Sequence, residues 1–461
     1  MASECEKPEV CRRCKEEGHK VAECPMPMVC NRCKKEGHLV RECTEEEQTR
    51  TYTDAEGNEK EVFVPAPDAP VEELFKLGIS AGLNFGAYKN IPVKVTGENA
   101  VSGIESFESA KLRPLLLENI KKSGYTTPTP IQKNGIPNIL GGKDFMGCAQ
   151  TGSGKTASYL IPIINSLIAS NADSNSGAKA APQALIVSPT RELANQIYSE
   201  ARKFCAGSML KCRVAFGGTS TGFQNNRLMQ GCNILVSTTG RLLDFVEKGF
   251  ISFENLQFLV LDEADRMLDE GFMPDIEKIV ENENIPSKEK RQTLLFSATF
   301  SDDVQEAAKE FLKEDYIFAT VGLIGGVCSD VRQEFLEVEQ FSKRDKLEEV
   351  LNAPDRNPVD RALVFVQTKK NADFVTANLC QNGFEAVSIH GDRFLSQRFE
   401  ALENFKSGVK PVLVATAVAA RGLDINGVEL VINYDLPREA EEYVHRIGKF
   451  LHLICMSIFV R

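Results

Sequence analysis

The segment Ala149-Gln150-Thr151-Gly152-Ser153-Gly154-Lys155-Thr156 places a lysine and a hydroxyl at the end of a glycine-rich turn. Farther along, Leu261-Asp262-Glu263-Ala264-Asp265 ends an apolar run with two adjacent carboxylates. Glycines let backbone N–H groups approach phosphate oxygens, a lysine reaches the outer phosphates, and a threonine hydroxyl can ligate magnesium. Gly152, Ser153, Gly154, Lys155 and Thr156 are therefore the candidates to hold a nucleotide, with Thr156 on its Mg²⁺. The first glycine of the generic phosphate-loop pattern is Ala149 here. Position compensates, because an apolar run precedes the loop and a helical pattern follows it, which aims a helix N-terminus at the anion. Asp262 can hold Mg²⁺ through water, and Glu263 can orient or deprotonate an attacking water. Upstream, Gly124-Tyr125-Thr126-Thr127-Pro128-Thr129-Pro130-Ile131-Gln132 offers a Gln132 amide whose donor and acceptor match the N6 and N7 edge of adenine, which points to ATP. Read alone, that stretch is a turn leading into an amphipathic helix.

A second chemistry lies near the start. Cys11-x2-Cys14-x4-His19-x4-Cys24 is repeated as Cys30-x2-Cys33-x4-His38-x4-Cys43. Three thiolates and an imidazole at this spacing close a tetrahedral Zn²⁺ site. Each box is too short to build a hydrophobic core, so the metal is needed for it to fold. The boxes resemble CCHC zinc knuckles, modules that bind single-stranded nucleic acid. In and beside the boxes lie Val10, Val21, Met28, Val29, Leu39 and Val40 rather than aromatic stacking platforms, alongside Arg12, Arg13, Arg32, Lys34 and Lys35. Both an RNA-binding and a protein-binding role stay open for them.

These groups need elements to position them. The chain has 461 residues, 42% hydrophobic, a net charge of -11 and a pI near 5.3. That is room for several cores and excludes a disordered or fibrous protein. The acidic balance requires a local basic groove if a polyanion is to bind. The fourteen cysteines follow no secretory h-region, and six of them sit in the metal boxes, which predicts a reducing compartment. No run reaches the roughly 18 apolar residues of a membrane span, the longest candidate being Phe450 to Val460, so a soluble protein without membrane association is expected. Residues 1–45 hold the knuckles. Segment 46–100, with Pro65, Pro67 and Pro70, reads as a largely extended linker. From 101 on, short β-rich runs alternate with helical patterns: 145–149, 184–188, 233–236, 258–261 and 293–296, then 362–366, 386–389, 412–414 and 430–433. That alternation predicts buried parallel sheets in two α/β domains, 101–325 and 335–461, separated by a Gly-rich joint.

In order and spacing, residues 100 to 448 resemble the DEAD-box RNA helicases, the Vasa-like germ-line members in particular. Gly124 to Gln132 is similar to the family's adenine-reading motif, with Phe107 at its upstream aromatic position. Ala149 to Thr156 and Asp262 to Asp265 match motifs I and II, and Ser297-Ala298-Thr299 matches the motif that couples hydrolysis to strand separation. The resemblance implies RNA contacts from Pro189, Thr190 and Arg191, from Gly217 and Gly218, and from Thr239, Gly240 and Arg241, with Thr239 replacing the usual proline. In the second domain it implies RNA contacts from Thr368, Thr416 and Gly422, and an ATP contact from Asp424. The fold implied is a pair of RecA-like domains closing on ATP and single-stranded RNA, the catalytic set being Lys155, Asp262, Glu263 and Arg446. Sequence-independent binding and local unwinding of short duplexes would follow, since contacts to phosphates and 2′-hydroxyls carry no sequence information. A cytoplasmic address in germ granules, with their proteins as partners, is implied by the resemblance alone.

Three departures set expectations of their own. After Tyr443-Val444-His445-Arg446-Ile447-Gly448 the family continues with two arginines facing the γ-phosphate, whereas this chain reads Lys449-Phe450-Leu451-His452. A lysine point charge does not reproduce a planar guanidinium, so a non-catalytic RNA-clamping scaffold is the competing reading. Leu453 to Arg461 is expected to supply no further strand, leaving the second domain incomplete. Gly448-Lys449-Phe450 can be encoded around a GTAAGT splice donor, which reads the tail as translated intron. Finally, Leu395 stands where the family usually has glutamine and Phe399 where glutamate is common, while Arg398 is kept.

Overall fold

The computed structural model describes residues 50–53, 59–62, 68–76, 91–171, 179–269, 271–322, 331–353, 361–417, 425, 427–447 and 454–460. The chain divides into two compact units, Met1–Pro65 and Ala66–Arg461. All the expected zinc ligands lie outside the described residues, as do Gly422 and Asp424. In the first unit an antiparallel hairpin pairs β1 (Arg50–Thr53) with β2 (Glu59–Val62).

The second unit contains two sheets, each the core of one lobe. The strands of lobe 1 are β3 (Val93–Thr96), β4 (Phe145–Cys148), β5 (Ala184–Val187), β6 (Cys212–Ala215), β7 (Ile234–Ser237), β8 (Phe258–Asp262), β9 (Gln292–Ser297) and β10 (Ile317–Val321). They lie in the order β3-β10-β4-β9-β8-β5-β7-β6. Every pairing is parallel except that of β3 with β10. Strands β4, β5, β7, β8 and β9 are buried along their whole length. Helices on both faces explain why these strands read as unbroken apolar runs. Strand β3 comes from the segment expected to be linker. Its four residues alternate between half-buried and exposed, a period-2 signal too short to stand out next to Pro92.

Lobe 2 is built from β11 (Arg332–Val338), β12 (Ala362–Val366), β13 (Ala386–Ile389), β14 (Val412–Thr416), β15 (Leu430–Asn433) and β16 (Ile454–Val460). The order is β11-β16-β15-β12-β14-β13, parallel throughout. Strand β16 overturns the expectation that the tail could build no strand. It runs between β11 and β15, with Arg332 opposite Ile454 and Leu430 opposite the same residue. The physical reason is legible in Ile454-Cys455-Met456-Ser457-Ile458-Phe459-Val460, a β-branched and aromatic run fit for burial on both faces. Cys455 enters one core layer with Leu363 and Phe365, while Met456 and Ile458 enter the opposite layer with Val364 and Val366. Among the described residues no helix is long and apolar enough to cross a membrane.

Residues ahead of lobe 1 are anchored on it. Tyr198 Oη donates to Asp68 Oδ2 at 2.7 Å, Arg227 pairs with the same oxygen, and Arg202 Nη2 donates to the Ala69 carbonyl at 2.6 Å. Partial burial raises the Asp68 pKa, but the hydrogen bonds from Arg227 and Tyr198 and the nearby guanidinium charges outweigh it and leave the carboxyl below its ordinary range. Its stabilisation is thus present above pH ~4 and lost as pH falls through the depressed value. Asp68→Asn is expected to lower stability by about 1 kcal/mol at pH 7, after allowing for solvent screening. The gap in thermal unfolding between variant and parent should shrink below pH 4. Equal melting at pH 7 would show that the anchor carries no stability.

Candidate functional site

The phosphate loop follows β4. Its Ala149 N–H donates to the Ser297 carbonyl at 3.0 Å, tying the loop to the end of β9. Gly152 and Gly154 have φ of 78° and 87°, a left-handed backbone that a side chain would strain. Gly154 is also sterically required, because a Cβ there would sit 2.3 Å from Gln132 Nε2. The helix Lys155–Ala169 starts immediately after it. Buried Lys155 donates from Nζ to the Ala149 carbonyl at 2.7 Å, so its ammonium is folded back over the loop whose N–H groups would meet phosphate.

Gln132 stands beside this loop and uses one N–H and one lone pair of its amide within the chain. Nε2 donates to the Gly154 carbonyl at 3.1 Å, and Oε1 accepts from the Thr129 N–H at 3.0 Å. It caps the helix Pro130–Leu140 and ties that helix to the phosphate loop. Phe107 is 2% exposed and packs edge-on against Tyr125, with centroids 6.3 Å apart. Its ring takes part in the aromatic packing of lobe 1 and offers no open face to a base.

The paired acids end β8. Asp262 is buried, accepting from Tyr159 Oη at 2.8 Å and from the Glu263 N–H at 3.0 Å. Burial, and then the neighbouring Glu263 charge, push its carboxyl up to about 6. Tyr159 lies one turn after Lys155 on the same helix face. That spacing was the signal by which the sequence could have flagged it. Glu263 adopts φ 55°, a left-handed conformation uncommon for a side chain larger than Asn or Asp. Buried anionic oxygens facing a lysine and the Thr156 hydroxyl suit a hard divalent cation, so these residues fit Mg²⁺ with a nucleotide.

The raised Asp262 value has a measurable consequence. A carboxyl whose folded pKa exceeds its unfolded one destabilises the fold above pH ~6, and that cost vanishes below pH ~4, where both states are protonated. Asp262→Asn is therefore expected to raise the thermal stability of the ligand-free chain by on the order of 2 kcal/mol at pH 7.5. No such gain is expected at pH 4. A variant melting at or below the parent at pH 7.5 would contradict this account of the burial.

Lobe 2 reaches the site through the helix Ala440–Ile447. His445 Nε2 lies 2.8 Å from Asp265 Oδ2, and Thr299 Oγ1 donates to the same oxygen at 2.6 Å while standing 3.1 Å from His445 Nε2. One junction thus joins the end of the acidic run, the Ser297-Ala298-Thr299 segment and the second lobe. Arg446, expected in the catalytic set, is hydrogen-bonded within lobe 2. Its Nη1 donates to Asn433 Oδ1 at 3.2 Å and to the Asp435 carbonyl at 2.6 Å, its Nε donates to Glu442 at 3.1 Å, and its guanidinium lies 5.1 Å from the Phe365 ring centroid. The same residue lines the cavity that adjoins His445. A cavity of about 490 Å³ adjoins the junction, lined by Thr190, Asp265, Thr299 and His445 among others; the phosphate loop does not line it.

The expected RNA blocks of lobe 1 come together. Thr190 caps the helix Arg191–Phe204, accepting from the Leu193 N–H at 3.3 Å, with half-buried Pro189 before it. The Arg191 guanidinium packs on Gly217 and Gly218, where an added Cβ would meet its nitrogens at 3.3 and 2.7 Å. Thr239 is buried in the first turn of the helix Thr239–Glu247, Gly240 faces open space, and Arg241 Nη2 donates to the Thr219 carbonyl at 3.2 Å. In lobe 2, Thr368 caps the helix Lys369–Gln381, and Thr416 sits at the end of β14 opposite Val366, on the same sheet edge. Glu192, absent from the expected set, pairs across the lobes with Arg398 at 2.7 Å.

The chain matches the DEAD/DEAH box helicase family over residues 129–307, the helicase conserved C-terminal domain over 342–452, and zinc knuckles over 9–26 and 28–45. It is 49% identical to the ATP-dependent RNA helicase vasa of Drosophila melanogaster, over 86% of this chain and 58% of that protein. It is also 49% identical to the probable ATP-dependent RNA helicase DDX4 of Homo sapiens, over 86% of this chain and 56% of that protein. The chain thus spans rather more than half the length of these relatives. Among solved structures, Mss116p bound to single-stranded RNA and AMP-PNP aligns with a TM-score of 0.70 at 29% identity, over 79% of this chain and 76% of that one. Dbp5 of S. cerevisiae bound to RNA and ADP BeF3 aligns with a TM-score of 0.67 at 26% identity, over 78% of this chain and 90% of that one.

Proposed function

The chain belongs to the DEAD/DEAH box helicases, and from that premise we propose that it binds ATP and RNA across its two lobes and locally separates short RNA duplexes. The observation that carries this reading is the His445–Asp265–Thr299 junction, because it lets lobe 2 sense the acidic strand end beside the phosphate loop. Bound magnesium–ATP would supply the transferable phosphoryl group and the charge that neutralises Asp262. The remaining work falls to the chain's own residues. Gly152, Ser153 and Gly154 would offer backbone N–H groups to phosphate, Lys155 would exchange its Ala149 carbonyl for phosphate oxygens, and Thr156 and Asp262 would hold the metal. Glu263 accepts the proton of the attacking water.

RNA would lie along the edge formed by Thr190, Arg191, Gly217, Gly218 and Arg241 in lobe 1 and by Thr368 and Thr416 in lobe 2. Contacts of this kind go to the backbone and leave sequence unread. Two tandem zinc boxes, each holding one Zn²⁺, would add affinity for single strands. The germ-granule address is carried on resemblance, and imaging of the tagged chain tests it. RNA-stimulated phosphate release from ATP, measured on the full chain alongside unwinding of a short labelled duplex, tests the main reading. No release and no unwinding would defeat it.

One observation favours a second reading. Lys449 and His452 stand where the resemblance expects arginines, and Arg446 spends four of its five N–H donors within lobe 2. A chain that clamps RNA when ATP binds, and turns over slowly, fits those residues. ATP-dependent RNA retention without phosphate release would identify it.

A further inference from the structure

The helix Leu395–Lys406 of lobe 2 carries apolar side chains at Leu395 and Phe399. Residues four apart share a helix face, and this face meets lobe 1. The Phe399 ring centroid is 6.2 Å from that of Phe216, tilted by 56°. Leu395 Cδ2 would stand 3.4 Å from a Cβ placed on Gly218, which is ordinary van der Waals contact. Phe216 is 3% exposed and Leu395 5%. Gly218 is thereby sandwiched between Arg191 of its own lobe and Leu395 of the other.

A polar residue at either position would be resolvated when the lobes part, so separation would cost little. A leucine and a phenylalanine instead expose apolar surface on parting. The contact holds no charge, so salt does not screen it. None of the residues that make it belongs to the phosphate loop or the acidic run.

We propose that Leu395 and Phe399 form an apolar latch that holds the lobes together without nucleotide, and so makes RNA retention by this chain less dependent on ATP than a polar helix face would allow. The RNA part rests on the function proposed above; closure of the lobes does not.

The test uses the full chain and the double variant Leu395→Gln with Phe399→Glu, with Phe399→Ala as a milder truncation should the double variant fold poorly. Small-angle X-ray scattering of the ligand-free proteins should show both variants more expanded than the parent. Fluorescence anisotropy with a labelled single-stranded oligouridine should show the double variant about tenfold weaker without nucleotide, the scale of one aromatic pair plus the area it buries. With AMP-PNP and Mg²⁺, which close the lobes by other contacts, the two proteins should agree within about twofold. Superimposable scattering curves would overturn the latch, whatever the RNA result, and so would an equal loss of RNA affinity with and without nucleotide. If scattering separates the proteins while none binds RNA, the functional reading fails and the latch stands.

Discussion

Glu263→Gln is expected to cut RNA-stimulated phosphate release by about 10²–10⁴-fold, the scale of a lost general base, while ATP-dependent retention of RNA persists. Glutamine keeps the shape and the backbone N–H that Glu263 donates to Asp262 Oδ1 at 3.0 Å. It cannot accept the proton of the attacking water. The substitution also removes the like charge that helps push Asp262 up to about 6, so a metal-bound nucleotide should be held at least as well. The variant should therefore bind and stall. Release equal to that of the parent, with both proteins active, would remove Glu263 from the chemistry. Equally absent release in both, with RNA still retained only when ATP is present, would favour the clamp.

Lys449→Arg combined with His452→Arg is expected to raise the turnover rate by up to about 10³–10⁵-fold, the range over which arginine fingers act. A planar guanidinium donates two parallel hydrogen bonds to phosphate oxygens, whereas an ammonium is a compact point charge. Positions 449 and 452 lie outside the described residues, so the expectation rests on chemistry and spacing. It gains force from Arg446, most of whose donors are already committed to Asn433, Asp435 and Glu442, which leaves one Nη2 N–H for a phosphate. Single-turnover phosphate release separates this effect from nucleotide affinity. A double variant no faster than the parent would show that the missing arginines do not limit the chain.

Much of the fold was legible because parallel strands covered on both faces must be apolar throughout. Ala362–Val366, Ala386–Ile389 and Leu430–Asn433 appear in the structure with the bounds their composition suggested. Strands β3 and β6 were not, since short edge runs such as Cys212-Arg213-Val214-Ala215 carry too little periodicity. Strand β16 is a different case: six apolar residues and Ser457 have the right character for a buried strand, but the departure from the family pattern just before them gives no sign that the chain returns to the sheet.

The proposed phosphate chemistry was legible in the residues themselves, since Gly152, Gly154, Lys155, Thr156, Asp262 and Glu263 are a local grammar of turn, cation, hydroxyl and strand-end acid. The zinc ligands are equally local, fixed by spacing within two short boxes. Tertiary structure decided everything that depends on distant segments meeting. It placed Tyr159 on Asp262, His445 on Asp265, and Phe399 on Phe216. It also turned Gln132, Phe107 and Arg446 inward, to a capping amide, a packed ring and a buried guanidinium. A side chain's type limits what it can bind, but only the packing around it decides which of its donors and faces remain available.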